Sequence, residues 1–179
     1  MQNNRKLILY IAMSLDGFIA KLDSDISFLF EVEKEGEDYG YSTFFESVDT
    51  IIVGRKTYDK ILSMGIEWPY GSREVYILTR SAKPDSGHLL FYSGNLTDLI
   101  SNLRSQEGKH IYYNGGAETV HQLLMDDLLE EMIISIIPVI LGDGIPLFKE
   151  DLQKKELRLI GAESFEKGLV QLHYILEKI

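Results

Sequence analysis

The chain of 179 residues contains no cysteine. That excludes disulfides, iron–sulfur clusters, thiolate zinc sites and a cysteine nucleophile together. Any redox role must be borrowed from a bound cofactor. Basic charge is scarce: 18 Lys and Arg stand against 28 Asp and Glu, a net charge of -10. A protein that neutralises many phosphates normally presents a basic face, so nucleic acid is not an expected partner. An anionic membrane surface is disfavoured for the same reason. A small anionic ligand is still allowed, because a pocket can be locally positive on an acidic protein. No stretch approaches the ~20 apolar residues of a membrane helix. Arg5 and Lys6 precede an apolar run at 7–13, a faint echo of a signal peptide. Asp16-Gly17 ends the run and no small-residue cleavage site follows, so it reads as a buried strand. These absences fit a cytoplasmic protein. The histidines (His88, His110, His121, His173) show no ligand spacing, so no metal is expected. Neither a G-x-S-x-G elbow nor the G-x-G-x-x-G dinucleotide fingerprint is present.

What is present reads as one domain over residues 1–179, long enough to bury about two-thirds of its unfolded surface. Apolar runs occur at 7–13, 50–53, 75–78, 89–92, 111–113, 132–141 and 169–176. A run such as Ile51-Ile52-Val53 has no polar alternation, so both of its faces should be covered. Helical patterns lie between the runs. Leu96, Leu99, Ile100 and Leu103 fall on one face, with Asn95 as the cap and Asp98 in the first turn. Residues 57–64 carry Tyr58, Ile61 and Leu62 and stop at Gly65. Residues 117–124 carry Val120, Leu123 and Leu124, and 42–48 carry Phe44, Phe45 and Val48. Residues 31–38 read as a solvated loop or short helix. Strands alternating with single helices predict βαβ units and an α/β fold with a mostly parallel sheet. The last third has two long strands and no helix between them, so the sheet should be mixed. The run 132–141 is apolar enough to be an interior strand or to bury an edge in a homodimer.

Three predicted strand ends carry anion-friendly residues. Gly115-Gly116 follows one strand and opens a helix; the pair either admits a phosphate to the backbone or simply makes a tight turn. Gly54-Arg55-Lys56-Thr57 repeats the arrangement with two cations. Cations at a helix N-terminus oppose the macrodipole, and a bound anion would resolve that conflict. Thr57 would cap the helix or donate to a phosphate. Thr79-Arg80-Ser81 is the third, alone a plain surface turn. In open parallel sheets, ligands bind at the carboxyl ends of strands. Asp16-Gly17 and Gly142-Asp143-Gly144 read as turns, and Trp68 as a pocket wall or an ordinary half-buried aromatic.

These pieces, in this order, resemble the dihydrofolate-reductase-like superfamily. The likeness is closer to the reductase domain of the bifunctional riboflavin-biosynthesis deaminase-reductase and its stand-alone relatives. The carrying motifs are Ser14-Leu15-Asp16-Gly17-Phe18-Ile19-Ala20, Val53-Gly54-Arg55-Lys56-Thr57-Tyr58, Leu78-Thr79-Arg80-Ser81, Gly115-Gly116-Ala117-Glu118 and the stretch from Pro138 to Phe148. The resemblance implies a mixed sheet flanked by helices, binding NADPH along its strand ends. Gly54, Arg55, Lys56 and Thr57 would hold the pyrophosphate and 2′-phosphate side. Thr79, Arg80 and Ser81 would hold the adenosine end. Gly115, Gly116, Ala117, Glu118 and Thr119 would close over the pyrophosphate, and Ala12 and Ile19 would flank the nicotinamide. The implied activity is hydride transfer to a pterin-like substrate or to a pyrimidine like 5-amino-6-(5-phosphoribosylamino)uracil. Dimers through late strands are common in the family. Dihydrofolate reductases carry a substrate-binding carboxylate on the first helix. Here Asp38 is the nearest candidate, before Glu37 and Glu46, and Asp16 is a second polar group beside the expected hydride-transfer site. A nucleotide-binding regulatory module without turnover is the alternative.

Overall fold

The computed structural model describes residues 5–177, so the expected span of 1–179 extends beyond it by four residues at the start and two at the end. The strands are β1 (Leu7–Ser14), β2 (Phe18–Ala20), β3 (Val48–Gly54), β4 (Glu74–Leu78), β5 (Leu89–Tyr92), β6 (His110–Asn114), β7 (Glu131–Ile137), β8 (Ile145–Pro146), β9 (Leu157–Ser164) and β10 (Val170–Leu176). The helices are α1 (Tyr41–Glu46), α2 (Arg55–Ser63), α3 (Leu96–Ser105) and α4 (Ala117–Met125), with a 3-10 helix at Ser27–Val32. Eight strands form one mixed sheet in the order β5-β4-β3-β6-β1-β7-β10-β9. The six from β5 to β7 are parallel. β10 runs antiparallel to β7, and β9 antiparallel to β10. A small antiparallel pair, β2 with β8, links the loop after β1 to the loop after β7.

The continuous apolar runs are explained by cover on both faces. Ile51, Ile52 and Val53 are all fully buried. Ile52 faces the side covered by α3 and α4, together with Leu7, Leu9, Ile111 and Tyr113. Ile51 and Val53 face the side covered by α1 and α2, with Ile8, Val75, Ile77 and Tyr112. Each such aliphatic side chain contributes ~1.5–3 kcal/mol when fully buried. The expected stripe on α3 holds: Leu96, Leu99, Ile100 and Leu103 are buried, and the Asn95 side chain accepts from the Asp98 amide. α2 docks more lightly and buries none of its residues completely.

Two strands differ from expectation. The strand expected at 132–141 stops at Ile137, because the chain must leave the sheet at Pro138. It is interior, paired with β1 and β10, so it buries no edge against a partner. β9 had no periodic signal: a bulge at Ile160 breaks its alternation. The stretch 31–38 begins inside the 3-10 helix and continues as loop, as expected.

Candidate functional site

Because six strands are parallel, their carboxyl ends lie along one edge of the sheet. Across β4-β3-β6-β1 that edge presents, in order, Thr79-Arg80-Ser81, Gly54 to Thr57, Gly115 to Thr119, and the loop carrying Asp16. The chain places neighbouring groups on this edge at least 22 and as many as 99 residues apart at their nearest points; parallel pairing makes them neighbours.

The two glycine turns are in near contact. A Cβ built on Gly54 would lie 3.9 Å from the Gly115 Cα and 3.9 Å from the Gly116 nitrogen. One built on Gly115 would lie 2.2 Å from the Tyr113 hydroxyl and 3.1 Å from the Gly54 nitrogen. No larger residue fits there. Gly54 and Gly116 are the N-caps of α2 and α4, and neither N-terminus has a side-chain cap, in contrast to α3. Both leave backbone N–H donors available to an anion. Thr57, expected as a possible cap, is not one.

The cations divide. The Arg55 Nε is 2.9 Å from both oxygens of Asp59, with its guanidinium beside the Tyr58 ring. Lys56 and Arg80 are exposed and make no ion pair among the described residues. The Thr79 hydroxyl donates to the Ser81 carbonyl and accepts from its amide, which holds Arg80 at the tip of a closed turn. Glu118 pairs with Lys149 at 2.6 Å. Lys149 is a cation at the α4 N-terminus that sequence reasoning missed, because 31 residues separate the pair. Lys149, with smaller help from Lys56, holds the Glu118 carboxyl below its usual value. The Tyr113 hydroxyl donates to the Gly116 carbonyl; burial pushes it up, against a hydrogen bond to Thr119.

At the β1 end, the Asp16 carboxylate receives three hydrogen bonds: from the buried Ser14 hydroxyl at 2.6 Å, the Leu141 amide at 3.1 Å and the Gly142 amide at 2.7 Å. These bonds, Ser14 first, lower its pKa. Ala12 packs against the cluster around Phe28, Ile137 and Leu169, and Ile19 against the larger core. Asp38 is not on this edge. Its oxygens accept from the Gly40 amide at 3.0 Å and the Ser42 amide at 2.9 Å, at the entry to α1. Hydrogen bonds from Ser42, then Gly40, hold its carboxyl below the usual range. That is the environment of a capping carboxylate, whereas a general acid needs a raised pKa.

Between α1 and α2 the sheet carries an aromatic cluster. Tyr41 stacks on Phe45 at 5.5 Å, and Trp68, Tyr70 and Tyr112 follow edge to face. The Asn114 amide donates to the buried Tyr70 hydroxyl at 2.5 Å, and the Trp68 indole nitrogen is buried without a partner. Asn114 was missed, although its place directly before Gly115-Gly116 marks it. A separate cavity of about 370 Å³ opens on the other flank of α1, lined by Tyr10, Thr43, His110, Glu131, Gln171 and His173. It lies toward the amino ends of β6 and β7, away from the glycine turns. Burial, and to a lesser degree the Asp38 charge, push the Tyr10 hydroxyl up to about 12 against the opposing Gln171 hydrogen bond.

The sequence matches the RibD C-terminal domain family over residues 5–171. The chain belongs to this family. It is 44% identical over 174 residues to the uncharacterized protein YwjB of Bacillus subtilis (strain 168), covering 96% of this chain and 98% of that one. The crystal structure of a putative riboflavin biosynthesis protein from Shewanella sp. PV-4 superposes with a TM-score of 0.88 at 31% identity, covering 97% and 99% of the two chains. Dihydrofolate reductase from Enterococcus faecalis, complexed with NADP(H), shares the fold at a TM-score of 0.64 and 15% identity, over 99% of each chain. A RibD C-terminal domain with a dihydrofolate-reductase-like fold is an oxidoreductase scaffold. No described helix is long and apolar enough to cross a membrane.

Proposed function

We propose that residues 1–179 act as one cytoplasmic, NADPH-dependent reductase domain. It would transfer a hydride to a C=N or C=O bond of a small heterocycle of the pyrimidine or pterin class. The observation that carries this reading is the strand-end edge itself. Two uncapped helix N-termini meet at glycine turns, of which Gly115 has no room for a side chain, with Lys56 and Arg80, exposed and unpaired among the described residues, on the outer side. From β4 to β1 is three strand spacings, about 14 Å, which suits a dinucleotide laid across the strand ends. In this reading Arg80, with Thr79 and Ser81, binds the adenosine end. Gly54, Arg55, Lys56 and Thr57, with Gly115, Gly116, Ala117, Glu118 and Thr119, bind the phosphates. Ala12 and Ile19 flank the nicotinamide, which when bound supplies the hydride.

The protein's own work is binding and orientation. Asp16 pins the loop over the reacting end, and Asp38 fixes the start of α1 beside the aromatic cluster. Both carboxyls are held in the ionised form. We therefore assign them positioning roles and assign the proton to water. The half-buried rings of Tyr41, Phe45 and Trp68 suit one side of a flat heterocycle. The working unit in this reading is a homodimer.

The same ionised carboxylates favour one alternative, a nucleotide-binding module without turnover. Thermal denaturation with NADPH, followed by absorbance at 340 nm with pyrimidine and pterin substrates, separates the two. A thousandfold excess over Kd should stabilise the fold by about 4 kcal/mol. No stabilisation at millimolar NADPH would overturn both readings. Stabilisation without oxidation of NADPH by any such compound would leave the binding module.

A further inference from the structure

We propose that Gln171 sets the size of heterocycle that the protein accepts, by latching the N-terminal end of α1; the proposal rests on the reductase reading above. The chain enters α1 through two successive left-handed residues, Tyr39 at φ 57° and Gly40 at φ 77°. Glycine adopts that region freely, whereas a tyrosine stays there only when its surroundings impose it. Strain of that kind gathers at binding sites and switching segments. The Tyr39 carbonyl accepts from the Tyr10 hydroxyl at 2.9 Å and from the Gln171 side-chain amide at 3.1 Å. The Tyr39 hydroxyl donates to the Val32 carbonyl, and its ring meets Phe165 edge to face at 5.0 Å. Two strands that are not neighbours, β1 and β10, thus meet at one backbone carbonyl.

The C-terminal end of α1 is fixed. Arg73 donates to the carbonyls of Phe45 and Val48 with its guanidinium over the Phe45 ring, and Lys109 donates to the Glu46 carbonyl. The N-terminal end is held by a latch with two settings. The Gln171 nitrogen lies within 3.1 Å of three acceptors: the Tyr10 hydroxyl, the Tyr39 carbonyl and the Ser135 hydroxyl. An amide nitrogen carries two hydrogens, so one acceptor is always left over. Gln171 can therefore release Tyr39 and stay paired. The helix also has room to move. Phe44 is its one buried residue. The cavity of about 370 Å³ is lined by Gly40, Thr43 and Ser47, so it follows α1 from N-cap to C-cap. Tyr41 and Phe45, on the other flank, face the heterocycle in the reading above. When the latch releases, the first turn of α1 pivots about the Arg73 end into the cavity, and Tyr41 withdraws from the site. Latched, the site suits one ring, a pyrimidine; released, it admits two, a pterin. A substrate shifts that balance only by binding the two settings unequally. Cofactor binding is left alone, because β10 lies three strands from β6 and its glycine turn.

Absorbance at 340 nm tests it, with NADPH and either 5-amino-6-(5-phosphoribosylamino)uracil or 7,8-dihydropterin. The parent should show the higher kcat/KM with the pyrimidine. Gln171→Met keeps the length of the side chain and removes both donors. It should raise the pterin-to-pyrimidine ratio of kcat/KM by roughly tenfold, with an unchanged Kd for NADPH. Thr43→Phe fills the cavity from an exposed position on α1 and should lower that ratio. Hydrogen exchange along α1 should quicken in the first variant and slow in the second. Unchanged circular dichroism shows that the variants are folded. If Gln171→Met does not fold, Thr43→Phe alone decides. A parent that turns over neither compound fails the reductase reading, and the latch with it. With an active parent, three results overturn the latch alone: a preference for the pterin, an unchanged ratio in folded Gln171→Met, or a ratio that Thr43→Phe leaves unchanged or raises.

Discussion

The Asp16 carboxylate holds the Gly142 amide at 2.7 Å, across 126 positions of sequence. With its bonds to Ser14 and Leu141, this one side chain joins the loop after β1 to the loop after β7. β2–β8 pairing and the Leu15 amide on the Val139 carbonyl tie the same two loops a second and third time.

Asp16→Ala should therefore free the loop without unfolding the sheet. Hydrogen exchange at Leu141 and Gly142 should speed up, and kcat/KM should fall while NADPH affinity changes less. The pKa of Asp16 is lowered in the folded state, so its contribution is present above the ordinary carboxylate range. It is lost as pH falls through the lowered value. Exchange at the two amides should accelerate in acid in the parent, and Asp16→Asn should flatten that dependence.

Gly115→Ala tests the cradle. The new methyl would meet the Tyr113 hydroxyl at 2.2 Å, and that ring is fully buried and cannot swing away. The turn must open instead. We expect a stability loss of ~1–3 kcal/mol by denaturant titration. NADPH binding, followed by nicotinamide fluorescence, should weaken at least tenfold.

Arg80→Ala and Lys56→Ala should behave differently from the glycine variant. Both side chains are exposed and unpaired among the described residues, so Tm should hold. A hydrogen bond to a charged group is worth ~1.5–3 kcal/mol, which predicts a rise of tenfold or more in the Kd for NADPH. For the residue that meets the 2′-phosphate, the Kd for NADH should barely move. Titrating both cofactors against both variants assigns that role.

Glu131 lies at the amino end of β7, only 6% exposed, 2.5 Å from the Lys6 ammonium and 2.8 Å from His173. Burial pushes its carboxyl up, but Lys6 and His173 pull it to a net lowering. Glu131→Gln should cost ~1–3 kcal/mol, toward the lower end because Lys6 and His173 are about one-third exposed. The sign follows the lowered pKa: the difference between parent and variant should be full near neutral pH. It should shrink as pH drops below the carboxylate range. Urea unfolding at pH 7 and pH 2 checks it.

Residues whose role depends on near neighbours were legible in the sequence. Asn95 caps α3 because its target, Asp98, is three residues on. Residues with distant partners were not. Asp38 was read by its order in the chain as a substrate carboxylate, yet its nearest donors are the amides of Gly40 and Ser42. Lys149 and Asn114 escaped notice because their contacts come from other elements. β9 escaped because one bulged residue, Ile160, shifts its pattern halfway along.

The sequence by itself determined the local structure: uninterrupted apolar runs that demand cover on both faces, helices stopped and started by their caps, and glycines where cations open a helix. The absence of cysteine assigned any redox chemistry to a cofactor. Only the tertiary structure decided that three of those turns stand side by side, and that Gln171 reaches the Tyr39 carbonyl across 132 positions. Strand order is set by packing summed over residues far apart in the chain, and no local pattern contains that sum.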